Sequence, residues 1–147
     1  MKEKFEIINA SAGSGKTFTL SSNVIQRILT GKEDSYKKIL ALTFTNNSAN
    51  EMKKRILDEL RQISIDPWKS KVFLKTSLKK TFTTNQISKK AKKILNRILH
   101  NFSFFQVSTI DKFNHRLIRS FSNDLSLSYD FDLIIEPVSY THLTLPT

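Results

Sequence analysis

The sequence predicts an α/β fold, a parallel sheet flanked by helices, and three observations carry that expectation. Short apolar runs at residues 5–8, 39–44 and 104–109 alternate with stretches of helical apolar spacing, the order of strand–helix–strand units. The first run leads into Ala10-Ser11-Ala12-Gly13-Ser14-Gly15-Lys16-Thr17, which has the spacing of a phosphate-binding loop. The two later runs deliver polar residues, Thr45-Asn46 and Thr109, to the strand ends where open α/β sheets hold ligands.

The loop justifies its place between strand and helix by its chemistry. Gly13 and Gly15 have no Cβ, so the backbone can bend sharply and turn N–H groups toward phosphate oxygens, and the helix that follows adds its partial positive charge. Lys16 is spaced to reach the β- and γ-phosphates of a nucleoside triphosphate, and Thr17 to give its hydroxyl to magnesium. Ala10 stands where the pattern G-x-x-x-x-G-K-[ST] has its first glycine.

The remaining elements follow in order. A helix is expected from about Thr17 to Thr30, with Leu20, Val24, Ile25, Ile28 and Leu29 inward and Gly31 as its stop. The run 39–44 reads as an interior strand covered on both faces. Ser48 and Glu51 have the spacing of a capping box for the next helix, whose buried face is Met52, Ile56, Leu60 and Ile63. Pro67 and Trp68 break that helix, and the pattern stays loose to Gln86. Helix returns at Ser88 with Ala91, Ile94, Leu95, Ile98, Leu99 and Phe102 inside and Lys89, Lys90, Lys93 and Arg97 mostly outside. A third strand at 104–109 precedes a helix capped by Asp111 and carrying Phe113, Leu117, Ile118 and Phe121, and a short strand is expected at 131–135. At the strand ends, Thr45 and Asn46 suit a phosphate or sugar. Phe44 is read two ways, as a stacking face for a base or as an ordinary core side chain.

Composition narrows the function classes. With no Cys there is no disulfide, thiolate zinc site or cysteine nucleophile, and an intracellular, cytoplasmic home is the simplest expectation. No apolar run is long enough to cross a bilayer, so no membrane partner is expected. The net charge of +11 is localised: residues 53–97 hold fourteen Lys or Arg against three acids, while the rest of the chain balances at ten each. A basic excess on a nucleotide-binding domain points to nucleic acid, against the alternative of a lysine-rich solvated surface.

Three segments, Ala10 to Thr17, Leu42-Thr-Phe-Thr-Asn-Asn-Ser-Ala-Asn-Glu-Met52 and Val107-Ser-Thr-Ile-Asp-Lys-Phe113, now stand in order. Together they resemble the N-terminal part of UvrD/RecB-like superfamily-one DNA helicases, closest to the RecB and AddA style of exonuclease-associated helicase. The resemblance covers residues 5 to about 136 and implies a RecA-like phosphate-loop NTPase fold, an incomplete first motor domain with a basic helical insertion. It gives Ala10, Ser11, Ala12, Gly13, Ser14, Gly15, Lys16 and Thr17 to ATP, Lys16 and Thr17 to catalysis, and Thr17 to Mg2+. It gives Phe44, Thr45 and Asn46 to one contact with the DNA strand, and Thr109, Asp111 and Phe113 to a second. Asn47 stands where the family commonly has Lys, and Lys112 where it has a small residue.

The implied activity is ATP-dependent translocation on single-stranded DNA, or on duplex with a single-stranded tail, with 3′-to-5′ polarity, in DNA repair and recombination; a nuclease subunit or domain is an implied partner. The family's hydrophobic strand ending in Asp-Glu does not occur: Leu133-Ile134-Ile135-Glu136 has one acid and then Pro137. The second motor domain and its arginine finger are not found either, so the chain reads as a fragment inactive by itself. The expected organisation is 1–64 as the first part of the ATP-binding core, 65–102 as the basic insertion, 103–137 as the return to the core, and 138–147 as a foreign or truncated tail. Two other classes compete with the helicase reading: a non-catalytic nucleic-acid-binding module whose affinity ATP modulates, and an unrelated phosphate-loop kinase, for which no acceptor pocket or lid arginines are recognisable.

Overall fold

The computed structural model describes residues 15–122 and 124. The strands expected at 5–8 and 131–135, loop residues Ala10 to Ser14 and the segment 138–147 lie outside them. The chain divides into two units, 1–110 and 111–147.

In the first unit α1 (Lys16–Thr30) runs to Gly31, as the spacing predicts. Val24, Ile25, Ile28 and Leu29 are buried, but Leu20 is exposed and Ser21 and Ser22 are buried in the preceding turn. Their hydroxyls donate to the Thr17 and Phe18 carbonyls at 2.7 Å, so two small residues that satisfy themselves locally take the inner face instead of Leu20. Gly31 ends the helix in extended backbone, not in the left-handed region. It is required there by space, since a Cβ would run into the Ser35 side chain and reach 3.0 Å from the Arg27 carbonyl.

Tyr36, buried in the short turn at Ser35–Lys38, leads into β1 (Leu40–Thr43), which pairs in parallel with β2 (Gln106–Thr109) in the register Leu40 to Gln106 and Thr43 to Thr109. Among the described residues these two strands are the whole sheet, so the architecture is mixed α/β with a small parallel sheet and helices. β1 is shorter than the apolar run and is not covered on both faces: Ala41 is buried while Leu40 is exposed.

Between the strands lie α2 (Asn46–Ile65), the short helices α3 (Lys71–Lys75) and α4 (Leu78–Thr81), and α5 (Thr84–His100). α2 starts earlier than the Ser48–Glu51 spacing suggests. Thr45, in extended backbone, is its N-cap and accepts the Ser48 N–H at 3.1 Å, which makes Ser48 a first-turn residue and frees Glu51 to pair with Arg55 at 2.8 Å. α5 also starts earlier, at a reciprocal capping box of Thr83 and Gln86. Its residues Ile87, Ala91, Ile94 and Ile98 share one core with Met52, Ile56, Leu60 and Ile63 of α2 and with Val72, Phe73 and Leu78, whereas Leu99 and Phe102 are exposed. The basic segment is thus packed through its apolar side into the same core as α1 and β1.

From Asp111 on, α6 (Ile110–Ser120) belongs to the second unit and makes up most of its described part. Asp111 lies inside its first turn rather than ahead of it, a position where a carboxylate favours the positive end of the helix dipole. None of its residues is buried; Phe113 and Ile118 are half-buried and Leu117 and Phe121 exposed.

Candidate functional site

α1 begins at a glycine in a conformation that other residues rarely adopt. Gly15 has φ +82° and ψ 18°, and nothing lies within 4 Å of where its Cβ would be. Among the described residues no side chain caps the helix, and its first turn holds no acid. The start of α1 is the positive end of a 15-residue helix. Lys16 and Thr17 are exposed at that end, and the Thr17 hydroxyl makes no hydrogen bond among the described residues while its carbonyl accepts from Ser21. A left-handed glycine at a helix N-terminus, an exposed lysine and a hydroxyl without a hydrogen bond among the described residues make a donor set that fits a magnesium-bound triphosphate.

The second cluster is at the carboxyl end of the parallel pair. Because Thr43 lies opposite Thr109, the segment Phe44 to Asn46 leaves the sheet beside Thr109, so the register brings these predicted site residues to one edge. Phe44 is 86% exposed, which rules out the core reading of that ring. Thr45 is engaged: its hydroxyl donates to Ser48 Oγ at 2.8 Å and accepts the Ser48 N–H, and its carbonyl accepts from Thr43 and Ala49. Asn46 occupies the first helical position, exposed, with its side chain unbonded among the described residues. The edge therefore offers an open ring and an open amide next to a threonine whose cap holds them in place. Thr109 is 4% exposed and sits in β2, whereas Asp111 and Phe113 belong to the second unit, Asp111 exposed and Phe113 half-buried.

Most of the cations that the sequence places on the outer face of α5 have partners within the chain. Lys93 and Arg97 bind Glu33, Arg97 also reaches Asp34 at 3.0 Å, and Lys90 donates to the Gly31 carbonyl at 2.8 Å while lying over the Phe82 ring. Both acids are held below the ordinary carboxylate range: Glu33 first by the Lys93 hydrogen bond and then by the Arg97 charge, Asp34 first by the Lys37 hydrogen bond and then by Arg97. Three of the four named cations thus tie α5 to the turn after α1. The signal in the sequence was Glu33-Asp34, two of the few acids, placed just past the helix stop.

The adjacent pair Asp58-Glu59 lies in the middle of α2, where Glu59 accepts from Ser70 at 2.7 Å; it is not at a strand end. No group of three or more His, Cys, Asp or Glu able to hold a metal occurs among the described residues, and no described helix is long and apolar enough to cross a membrane.

Fold and site together define a mixed α/β protein with a small parallel sheet, a helix that starts at a left-handed glycine, and a polar, aromatic edge at the ends of the parallel strands. Residues 2–143 match the family model of the UvrD/REP helicase N-terminal domain, and the chain belongs to that family. It is 46% identical over 55 residues to the RecBCD enzyme subunit RecB of Chlamydia muridarum, covering 37% of this chain and 5% of the relative. It is 30% identical over 130 residues to an ATP-dependent helicase/nuclease subunit of Lactobacillus acidophilus, and 33% over 131 to that of Lactobacillus johnsonii, covering 88% of this chain and 9% of each relative. The chain spans less than a tenth of the length of these curated relatives. No solved structure matches it.

Proposed function

We propose that this chain is the front of the first, RecA-like motor domain of an ATP-dependent, 3′-to-5′ DNA helicase of repair and recombination, working in the cytoplasm with a nuclease subunit or domain. The family match and the names of the relatives, RecB and ATP-dependent helicase/nuclease, support the class. The observation that carries the reading is the left-handed Gly15 at a helix start presenting Lys16 and Thr17. In this reading Ala10 to Gly15 would offer backbone amides to the phosphates, Lys16 would pair with the β- and γ-phosphates, and Thr17 would give its hydroxyl to Mg2+. Bound Mg-ATP supplies the free energy of phosphoanhydride hydrolysis. Phe44 stacks on a base of single-stranded DNA, Asn46 bonds its backbone, and Thr45 holds both through its cap; Thr109, Asp111 and Phe113 form the second strand contact.

Two titrations test this. Binding of a fluorescent ATP analogue with Mg2+ is expected to weaken at least tenfold in Lys16→Ala, while steady-state phosphate release by the 147-residue chain stays at background, because no acidic pair stands at a described strand end. Turnover near one per second that is lost in Lys16→Ala would mean the catalytic groups are all within these residues. With a labelled thymidine oligonucleotide, Phe44→Ala should weaken binding roughly 5- to 150-fold and leave the salt dependence unchanged, as stacking requires. An unchanged affinity would remove Phe44 from the contact.

A further inference from the structure

Once Lys90, Lys93 and Arg97 of α5 are assigned to Glu33, Asp34 and Gly31, unpaired charge and the exposed aromatic surface of the basic segment meet at a different place. An open cleft of about 470 Å³ lies between the turn at Pro67–Lys69 and the junction of α4 with α5, lined by Trp68, Phe73, Phe82, Lys79, Lys80 and Thr83 among others. Trp68, the single tryptophan, is 58% exposed although it meets Phe73 edge-on at 5.5 Å. Lys79 and Lys80 are exposed, and their ammonium groups have no hydrogen bond, ion pair or ring contact among the described residues. No acid lines the cleft, and the start of α5, which does, carries none in its first turn.

The cleft is also built on fixed supports. Phe73 and Leu78 are buried in the core, Gln26 of α1 donates to Ser77 at 2.7 Å, and Ser88 donates to the Ile63 carbonyl at 3.0 Å. Lys90 lies 5.1 Å from the centre of the Phe82 ring. An indole held open beside two unpaired ammonium groups, in a cleft without acids, combines the two features that bind an unpaired base and its flanking phosphates. Because the cleft is open rather than enclosed, it suits a strand passing through more than a small molecule captured whole.

We propose that this cleft is an additional contact for single-stranded nucleic acid, in which Trp68 stacks on a base and Lys79 and Lys80 take the adjoining phosphates. This rests on the reading of the chain as a single-strand binder, but it is separate from the Phe44 edge. It also places a nucleic-acid contact of the basic segment around Trp68, not on the Lys89 to Arg97 face of α5.

The single tryptophan makes the test specific. The 147-residue chain is titrated with a labelled 15-nucleotide thymidine strand, reading anisotropy for binding and tryptophan emission for the cleft. Emission is expected to fall in step with anisotropy, and to change little with a blunt duplex of the same length, whose bases are already stacked. Trp68→Leu should weaken binding roughly 5- to 150-fold with the salt slope kept, and Trp68→Phe should recover part of the loss. Lys79→Ala with Lys80→Ala, both exposed and away from the core, should lower the slope of log affinity against log salt by about 1.4. If anisotropy reports binding that needs Phe44 while emission and the double-lysine slope stay unchanged, the cleft is overturned and the strand-edge reading stands. If the strand does not bind at all, both fall. Quenching of equal size by polyglutamate would assign the cleft to an acidic protein segment and overturn the proposal.

Discussion

Two described glycines are needed for different reasons, and substitution separates them. Gly15 has open space around its missing Cβ but a φ of +82°, so Gly15→Ala should cost about 1–2 kcal/mol from backbone strain alone, with Asn tolerated better than Ala. Gly31 has an unstrained φ and no room, so Gly31→Ala should cost about 1–3 kcal/mol from overpacking and be partly rescued by Ser35→Gly, which removes the atoms in the way. Urea unfolding of the four single variants and of Ser35→Gly combined in turn with Gly31→Ala and with Gly15→Ala checks both. Rescue of Gly15→Ala by the Ser35 change would contradict the argument. At this same scale Phe44 changed meaning: its type was legible as aromatic, but only its 86% exposure separated a stacking ring from a core ring.

At the scale of elements, the turn after α1 and the helix α5 are joined by Glu33 and Asp34 with Lys93, Arg97 and Lys37. Both carboxylates have pKa values below those of the unfolded chain. Groups depressed in this way contribute stability above their unfolded pKa, and that contribution disappears as pH falls through the folded value. The contribution is therefore present at neutral pH and lost below about pH 4. Since these groups are partly exposed, salt should weaken it as well. Thermal melts from pH 7 to pH 3 should show a smaller acid-side decline in Arg97→Met than in the parent chain, and NMR titration should move both carboxyls toward ordinary values in that variant. A decline of equal steepness in both proteins would remove this network from the acid response.

Across the first unit, the buried faces of α1, α2, α3 and α5 and the inner residues of β1 and β2 form one apolar core. Ile94, fully buried where α5 joins that core, should cost roughly 2–5 kcal/mol when cut to Ala, with one cooperative unfolding transition retained. If the basic segment instead melted alone, leaving a second transition at the parent midpoint, residues 65–102 would be a separately folding insertion. The same packing redistributes the charge. The segment 53–97 carries the entire basic excess, yet Arg55, Lys90, Lys93 and Arg97 have internal partners, and Lys53 and Lys75 lie over the rings of Phe102 and Phe18.

Apolar spacing alone determined the order strand, helix, strand for the described elements, the inner residues of α2 and most of those of α1 and α5, and the stop at Gly31, because local periodicity and chain stops are properties of neighbouring residues. The phosphate-loop pattern and the two strand-end motifs were equally legible, since each is a short run read in sequence order. Helix starts at Asn46 and Thr84 were misplaced by several residues, because several hydroxyls and amides compete to cap and only the backbone conformation selects Thr45 and Thr83. Which cations are free was not legible at all: Glu33 reaches Lys93 and Arg97 across about sixty residues of chain, a pairing made by the packing of α5 beside α1 and α2. Charge is counted along a sequence, but it is neutralised in space, so only the tertiary structure could decide where it remains.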